Sequence, residues 1–193
     1  MIILITFYLF YEIQNKKISE HDSAGNPLIQ DYKVRMLLYF IFVIAAGWLI
    51  EFIGVSTGYI FGNYKYSKLL LPQILDVPIA IGFAWFSTLI VSVAIIQTYT
   101  KINIKLIKTY KKALLTGFLM TVFDYFLEFA AIKLGYWSWQ IGIPPFTNYL
   151  AWFVFGSLFA YIGFKINLLD LRLPKIASHL YFAQLIYFGL SAI

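Results

Sequence analysis

The chain has 193 residues, of which 61% are hydrophobic, 20% aromatic and only 12% charged, with a formal net charge of +6. Soluble domains carry roughly 25% charged residues, and a soluble fold of this length leaves about a third of its surface in water. That balance excludes an ordinary soluble enzyme, a disordered chain and a nucleic-acid reader, and it predicts an all-α polytopic transmembrane bundle.

Taken in chain order, the apolar stretches predict about six helical segments in one integral membrane domain spanning residues 1–193. Residues 2–11 are apolar but make only half a span, so they form a short helix or the tail of a longer one. No basic n-region or small-residue cleavage site marks them as a cleaved signal. Residues 36–56 are long enough to cross about 30 Å of hydrocarbon and are interrupted only by Glu51. Residues 77–99 carry no charge, and residues 113–132 carry Asp124 and Glu128. Residues 146–164 and 176–193 complete the set.

Twelve of the fifteen basic residues fall in three alternate connections. Lys16, Lys17, Lys33 and Arg35 lie in the first. Lys101, Lys105, Lys108, Lys111 and Lys112 lie in the second, and Lys165, Arg172 and Lys175 in the third. The positive-inside rule puts these connections in the cytoplasm of a multi-pass cell-membrane protein. The net charge is then a topology signal with some attraction to anionic lipid. No nucleic-acid partner is expected.

An internal repeat is visible. Glu51-Phe52 is followed by Gly58-Tyr59, and Glu128-Phe129 is followed by Gly135-Tyr136 at identical offsets. Pro78 precedes Trp85 by seven residues, as Pro145 precedes Trp152. The spacing predicts two helix–outer loop–helix units, about 36–99 and about 113–165, followed by a terminal helix at 176–193. Both units start from the inside, so they are parallel and related by an axis along the membrane normal. The copies differ where chemistry differs: Asp124 faces Gly47 in the alignment, Asn148 faces Ile81, and Asp76 faces Ile143.

Ionisable groups inside spans cost about 2.5–3.5 kcal/mol even on lenient scales and mark functional sites. Glu51, Asp124 and Glu128 are the candidates. Asp124 and Glu128 are four residues apart and so share a helix face. Two like charges there, away from water, are expected to retain at least one proton, which is what a general acid needs. All three lean towards the outer leaflet, as do Asp76 and Asn148, which open the returning helices. A plainer alternative is that these groups only bond between helices or pair with Lys133. The aromatics Tyr59, Tyr64, Tyr66, Trp137 and Trp139 fit either a substrate slot or the interfacial belt of amphipathic rings. Trp85 and Trp152 lie deeper, and an aromatic face stabilises a cation. Gly54, Gly58 and Gly62 mark either close helix packing or a turning loop. The chain has no cysteine, and its two histidines, His21 and His179, are too far apart in sequence for a metal site to be expected. Nor is a cofactor: there is no phosphate loop, dinucleotide fingerprint or nucleophile elbow.

The string from Glu51 through Gly58-Tyr59 to Tyr64-Lys65-Tyr66, then Asp76 to Trp85, is similar to a known pattern. So are Asp124 to Glu128, Tyr136-Trp137-Ser138-Trp139, and Pro145 to Trp152. Together they resemble the membrane carotenoid-biosynthesis family that contains the 1′,2′-hydratases of γ-carotene and bisanhydrobacterioruberin, over about residues 36–165. The resemblance implies cofactor-free addition of water to the terminal double bond of a long polyene held in the lipid bilayer. A protonated carboxyl would protonate C2′, aromatic faces would stabilise the cation at C1′, and a second carboxylate would take a proton from the adding water. The expected roles are Asp124 and Glu128 as acid/base pair, with Glu51 orienting water or sharing the proton. Asp76 and Asn148 would give polar support, and Tyr59, Tyr64, Trp85, Trp137, Trp139 and Trp152 would line the slot. Two competing readings share these residues: a carotenoid cyclase, in which an internal double bond captures the cation, and a non-catalytic lipid- or carotenoid-binding or transport module.

Overall fold

The computed structural model describes residues 2–15, 28–99, 107–170 and 173–193. Lys16, Lys17, His21, Lys101, Lys105 and Arg172 lie outside the described residues. The described chain forms six α-helices: α1 (Ile2–Asn15), α2 (Leu28–Thr57), α3 (Ile79–Tyr99), α4 (Thr109–Lys133), α5 (Phe146–Lys165) and α6 (Lys175–Ala192). Between them lie four short strands: β1 (Tyr64–Tyr66), β2 (Gln73–Ile74), β3 (Val77–Pro78) and β4 (Trp137–Trp139). The architecture is an all-α bundle, and its loops carry two two-stranded ladders that the apolar pattern did not announce.

Tyr32–Thr57 of α2, and α3, α4 and α5, are long and apolar enough to cross a membrane. The expected crossing at 176–193 is helical but falls outside that set, because Lys175, His179 and Gln184 dilute its apolar run. Helix α1 is apolar but short. Helix α3 is central: it packs against α1, α2, α4 and α6. Its sequence is apolar all round, as a helix covered on every side requires, and Trp85, Phe86 and a run from Ser87 to Ala94 are buried. The most extensive helix pair is α4 with α5. There a Cβ on Gly117 would stand 2.7 Å from the Phe153 carbonyl oxygen, so only glycine permits this approach.

Helices α2 and α4 both start earlier than their apolar stretches. Arg35 Nη2 donates to the Ile166 carbonyl at 2.6 Å, and the Tyr32 hydroxyl donates to that of Leu168 at 3.4 Å. Lys112 is buried, pairs with Asp170 and stands 4.5 Å from the centre of the Phe164 ring. Part of the basic pattern thus ties the α5–α6 connection to the bundle. Prolines stand where helices begin: Pro78 before α3, Pro145 before α5 and Pro174 before α6. A proline has no N–H to waste in a first helical turn.

The repeated Gly-Tyr pairs are helix ends. Gly58 (φ +70°) and Gly135 (φ +72°) take the left-handed conformation that closes α2 and α4. Past Gly58 the chain turns rather than packing as a helix. Gly62 also has positive φ, and the Phe61 ring folds back over Gly54.

Candidate functional site

Each acid sits about two turns before its capping glycine: Glu51 seven residues before Gly58, and Glu128 seven before Gly135. That spacing leaves each carboxyl roughly 10 Å below the point where its helix ends and its loop begins. Asp124 lies one turn earlier on the Glu128 face. Each loop then returns over its acid. Strands β1 and β4 pair antiparallel, with Tyr64 opposite Trp139, Lys65 opposite Ser138 and Tyr66 opposite Trp137. Alternate residues of a strand share a face. Four aromatic rings therefore point inward from the ladder, while Lys65 and Ser138 are exposed.

Every inward ring delivers a hydrogen bond. The hydroxyls of Tyr64 and Tyr66 donate to Glu51 Oε2, the second at 2.9 Å. The indoles of Trp137 and Trp139 donate to Glu128 Oε2 at 2.8 and 2.7 Å. Trp85 Nε1 donates to Glu51 Oε1 at 3.2 Å. Asn148 Nδ2, in the first turn of α5, donates to Asp124 Oδ2 at 2.7 Å and reaches Glu128 Oε1 at 3.4 Å. Trp85 and Trp152 stack face to face, with centroids 4.0 Å apart and planes 9° apart. Burial, and then the Glu51 carboxyl beside them, push the phenols of Tyr64 and Tyr66 well above their usual range. Both hydroxyls therefore keep their protons and act as donors.

Glu51, Asp124, Glu128 and Asn148 are 4%, 1%, 3% and 2% exposed. Among the described residues no cation pairs with the three carboxyl groups, and Lys133 is exposed and apart from them. Three unpaired acids away from water and close together are costly to hold unless some are neutral. They surround a small pocket with an open mouth. Its polar wall is the three acids, Asn148 and the β1–β4 rings; Ile81, Ala84, Leu127 and Trp152 give it an apolar wall. This arrangement offers proton donors and acceptors beside aromatic faces. Among the described residues no group of three His, Cys, Asp or Glu comes together as a metal site.

The structure brings Glu51, Asp124, Glu128, Asn148, Tyr64, Trp137, Trp139 and Trp152 around one pocket, with Trp85 immediately behind Glu51. It places two expected residues elsewhere. Asp76 (φ +63°) and Leu75 (φ +50°) form the two-residue turn of the β2–β3 hairpin. The Asp76 carboxylate points outward, 3.2 Å from Lys68 Nζ and 81% exposed. Asp tolerates the left-handed conformation better than most residues, so its place there is explained by the turn. Tyr59 is 90% exposed beside the α2 cap. Tyr66, which by sequence fits either a slot or the interfacial belt and is not among the expected site residues, reaches Glu51 with its hydroxyl. The Tyr-x-Tyr and Trp-x-Trp alternation was the available signal.

Helices long and apolar enough to span a membrane, around three buried acids that no cation pairs with among the described residues, under an aromatic ladder, define a membrane protein with a polar chamber. Residues 23–191 match the family model described as "Carotenoid biosynthesis protein", and the chain belongs to that family. It is also similar to bisanhydrobacterioruberin hydratase of Haloarcula japonica, at 27% identity over 119 residues. The match covers 56% of this chain and 38% of that relative, so the matched region is well under half of the relative's length. No solved structure matches the chain.

Proposed function

We propose that the protein adds water to the terminal 1′,2′ double bond of an acyclic or monocyclic carotenoid, as a hydro-lyase that needs no cofactor. The observation that carries this reading is the set of three buried carboxyl groups, unpaired with any cation among the described residues, facing one aromatic-walled pocket. A branched chain end would enter at the mouth of this pocket, leaving the rest of a long polyene in the surrounding apolar phase. One carboxyl of the Asp124–Glu128 pair gives its proton to C2′. The cation at C1′ is stabilised by the faces of Trp152, Trp137 and Trp139. The other carboxyl takes a proton from water as oxygen bonds to C1′, and Glu51 orients that water or shares the proton. Asn148 holds the pair in register, and Trp85 holds Glu51.

The reading places the basic connections in the cytoplasm and the acid cluster towards the outer leaflet of the cell membrane. It also takes units 36–99 and 113–165 as parallel copies. Support for duplication comes from matched pairs that meet each other: β1 with β4, and Trp85 with Trp152. Antiparallel pairing of equivalent strands is what an axis along the membrane normal produces.

The test is pigment extraction from a bacterium making lycopene and γ-carotene, with and without this chain, read by chromatography and mass spectrometry. A pigment heavier by one water is the expected result. A new pigment of unchanged mass would replace hydration by cyclisation. No new pigment, with the protein in the membrane, would favour a binding module.

A further inference from the structure

Adding water to an alkene conserves protons overall but moves one within the site. The acid ends a turnover bare and the base ends it loaded, so a second turnover needs a proton carried back. Around Asp124 and Glu128 the donors are poor carriers. Asn148 presents an amide N–H to both acids, and two indole N–H groups occupy Glu128 Oε2. An N–H of this kind donates and does not accept. The donors on Glu51 Oε2 are of a different kind: the hydroxyls of Tyr64 and Tyr66. A hydroxyl donates and accepts, so it can hand its proton on, take another and end unchanged. Both tyrosines line the same pocket as all three acids. The register that sets Tyr64 against Trp139 and Tyr66 against Trp137 thus puts carriers on one acid and pure donors on the other.

We propose that Tyr64 and Tyr66 form the proton-return route of the site, carrying the proton released by water through Glu51 and back to the acid that protonated the alkene. The inference rests on the hydration reading above. Its balance closes. H and OH add across the double bond, one carboxyl of the Asp124–Glu128 pair loses a proton, and the other gains the one that water releases and shares it with Glu51. The return moves that proton through the phenols and pocket water, leaving each phenol as it began. The indoles of Trp137 and Trp139 take no part in the return; they hold Glu128 in place.

The test compares wild type, Tyr66→Phe, Tyr64→Phe and Trp137→Phe in lipid nanodiscs with the hydrated polyene's precursor. Rates are measured with protein in excess, for a single turnover, and with polyene in excess, at steady state, each in H2O and D2O. Tyr→Phe is expected to lower steady-state turnover about tenfold, but the single-turnover rate by less than about threefold. The steady-state solvent isotope effect should rise. Trp137→Phe should lower both rates alike. Either tyrosine variant that reaches the membrane at wild-type level carries the comparison. Equal losses in the two regimes for the tyrosine variants overturn the relay and leave hydration standing. Absence of hydrated product from the wild type overturns both.

Discussion

The two helix–loop–helix units put the same parts to different uses. In α2–β1–α3, Glu51 receives two phenols and one indole, and Gly47 stands one turn before it. In α4–β4–α5, Glu128 receives two indoles, and Asp124 stands one turn before it, bound by Asn148. Packing explains why the first unit has no second acid. A Cβ on Gly47 would lie 2.7 Å from the Trp85 ring, so Trp85 occupies the space that a side chain there would need. One unit spends that space on the tryptophan stack and the other on a second carboxyl. On the hydration reading, one helix–loop–helix layout would thus serve as a proton-donating half and the other as a supporting half.

Removing charge without removing shape should break that comparison most sharply. Asp124→Asn or Glu128→Gln is expected to cut product formation by about 10²-fold or more, the usual reach of a general acid or base. A Gln at 128 keeps an oxygen for the two indoles, so the protein should stay folded, checked by its level and thermal transition in detergent. Glu51→Gln is expected to cost only about tenfold, roughly 1.4 kcal/mol of barrier. Equal losses at 51 and 128, in pigment yield at matched membrane levels, would show the two units to be equivalent.

Stability should be the first unit's signature. Trp85 is 0% exposed, stacks on Trp152 and donates to Glu51. Trp85→Ala is expected to cost about 3–5 kcal/mol by large-to-small loss alone, seen as a lowered melting temperature. Gly47→Ala should be milder. Overpacking against the ring costs about 1–3 kcal/mol, offset by up to about 1 kcal/mol of helix propensity. If Gly47→Ala stabilised the protein instead, Trp85 would have room to move and the packing account of the missing acid would fail.

The helices were legible because length and apolarity act locally, and the acids because a carboxyl in a span is expensive wherever it lies. Their partners were harder to see. Tyr64 and Trp139 are 75 residues apart in sequence, and only the meeting of two loops gives the register that aims four rings inward. The Tyr64-x-Tyr66 and Trp137-x-Trp139 alternation signals strands, yet short runs at a span's edge resemble an aromatic belt equally well. Asp76 was misplaced for the opposite reason. Its neighbour Pro78 marks the start of α3, so the carboxylate looked like the helix's opening residue, whereas backbone conformation puts it at the tip of a hairpin.

Asp76 offers the smallest effect and the finest test of where the pocket ends. Its bridge to Lys68 joins side chains 76% and 81% exposed, a setting in which ion pairs contribute about 0–1 kcal/mol. What the position does require is positive φ, which Asn adopts readily and a β-branched residue does not. Asp76→Asn should therefore leave both melting temperature and product yield within about twofold of wild type on the yield scale, while Asp76→Val should lower stability by about 1 kcal/mol or more through the strained turn. Turnover of the surviving Val protein should be normal. A large loss of product in Asp76→Asn, with stability intact, would mean that the hairpin tip reaches the polyene, and that the first unit supplies a fourth acid to the chemistry rather than a support for it.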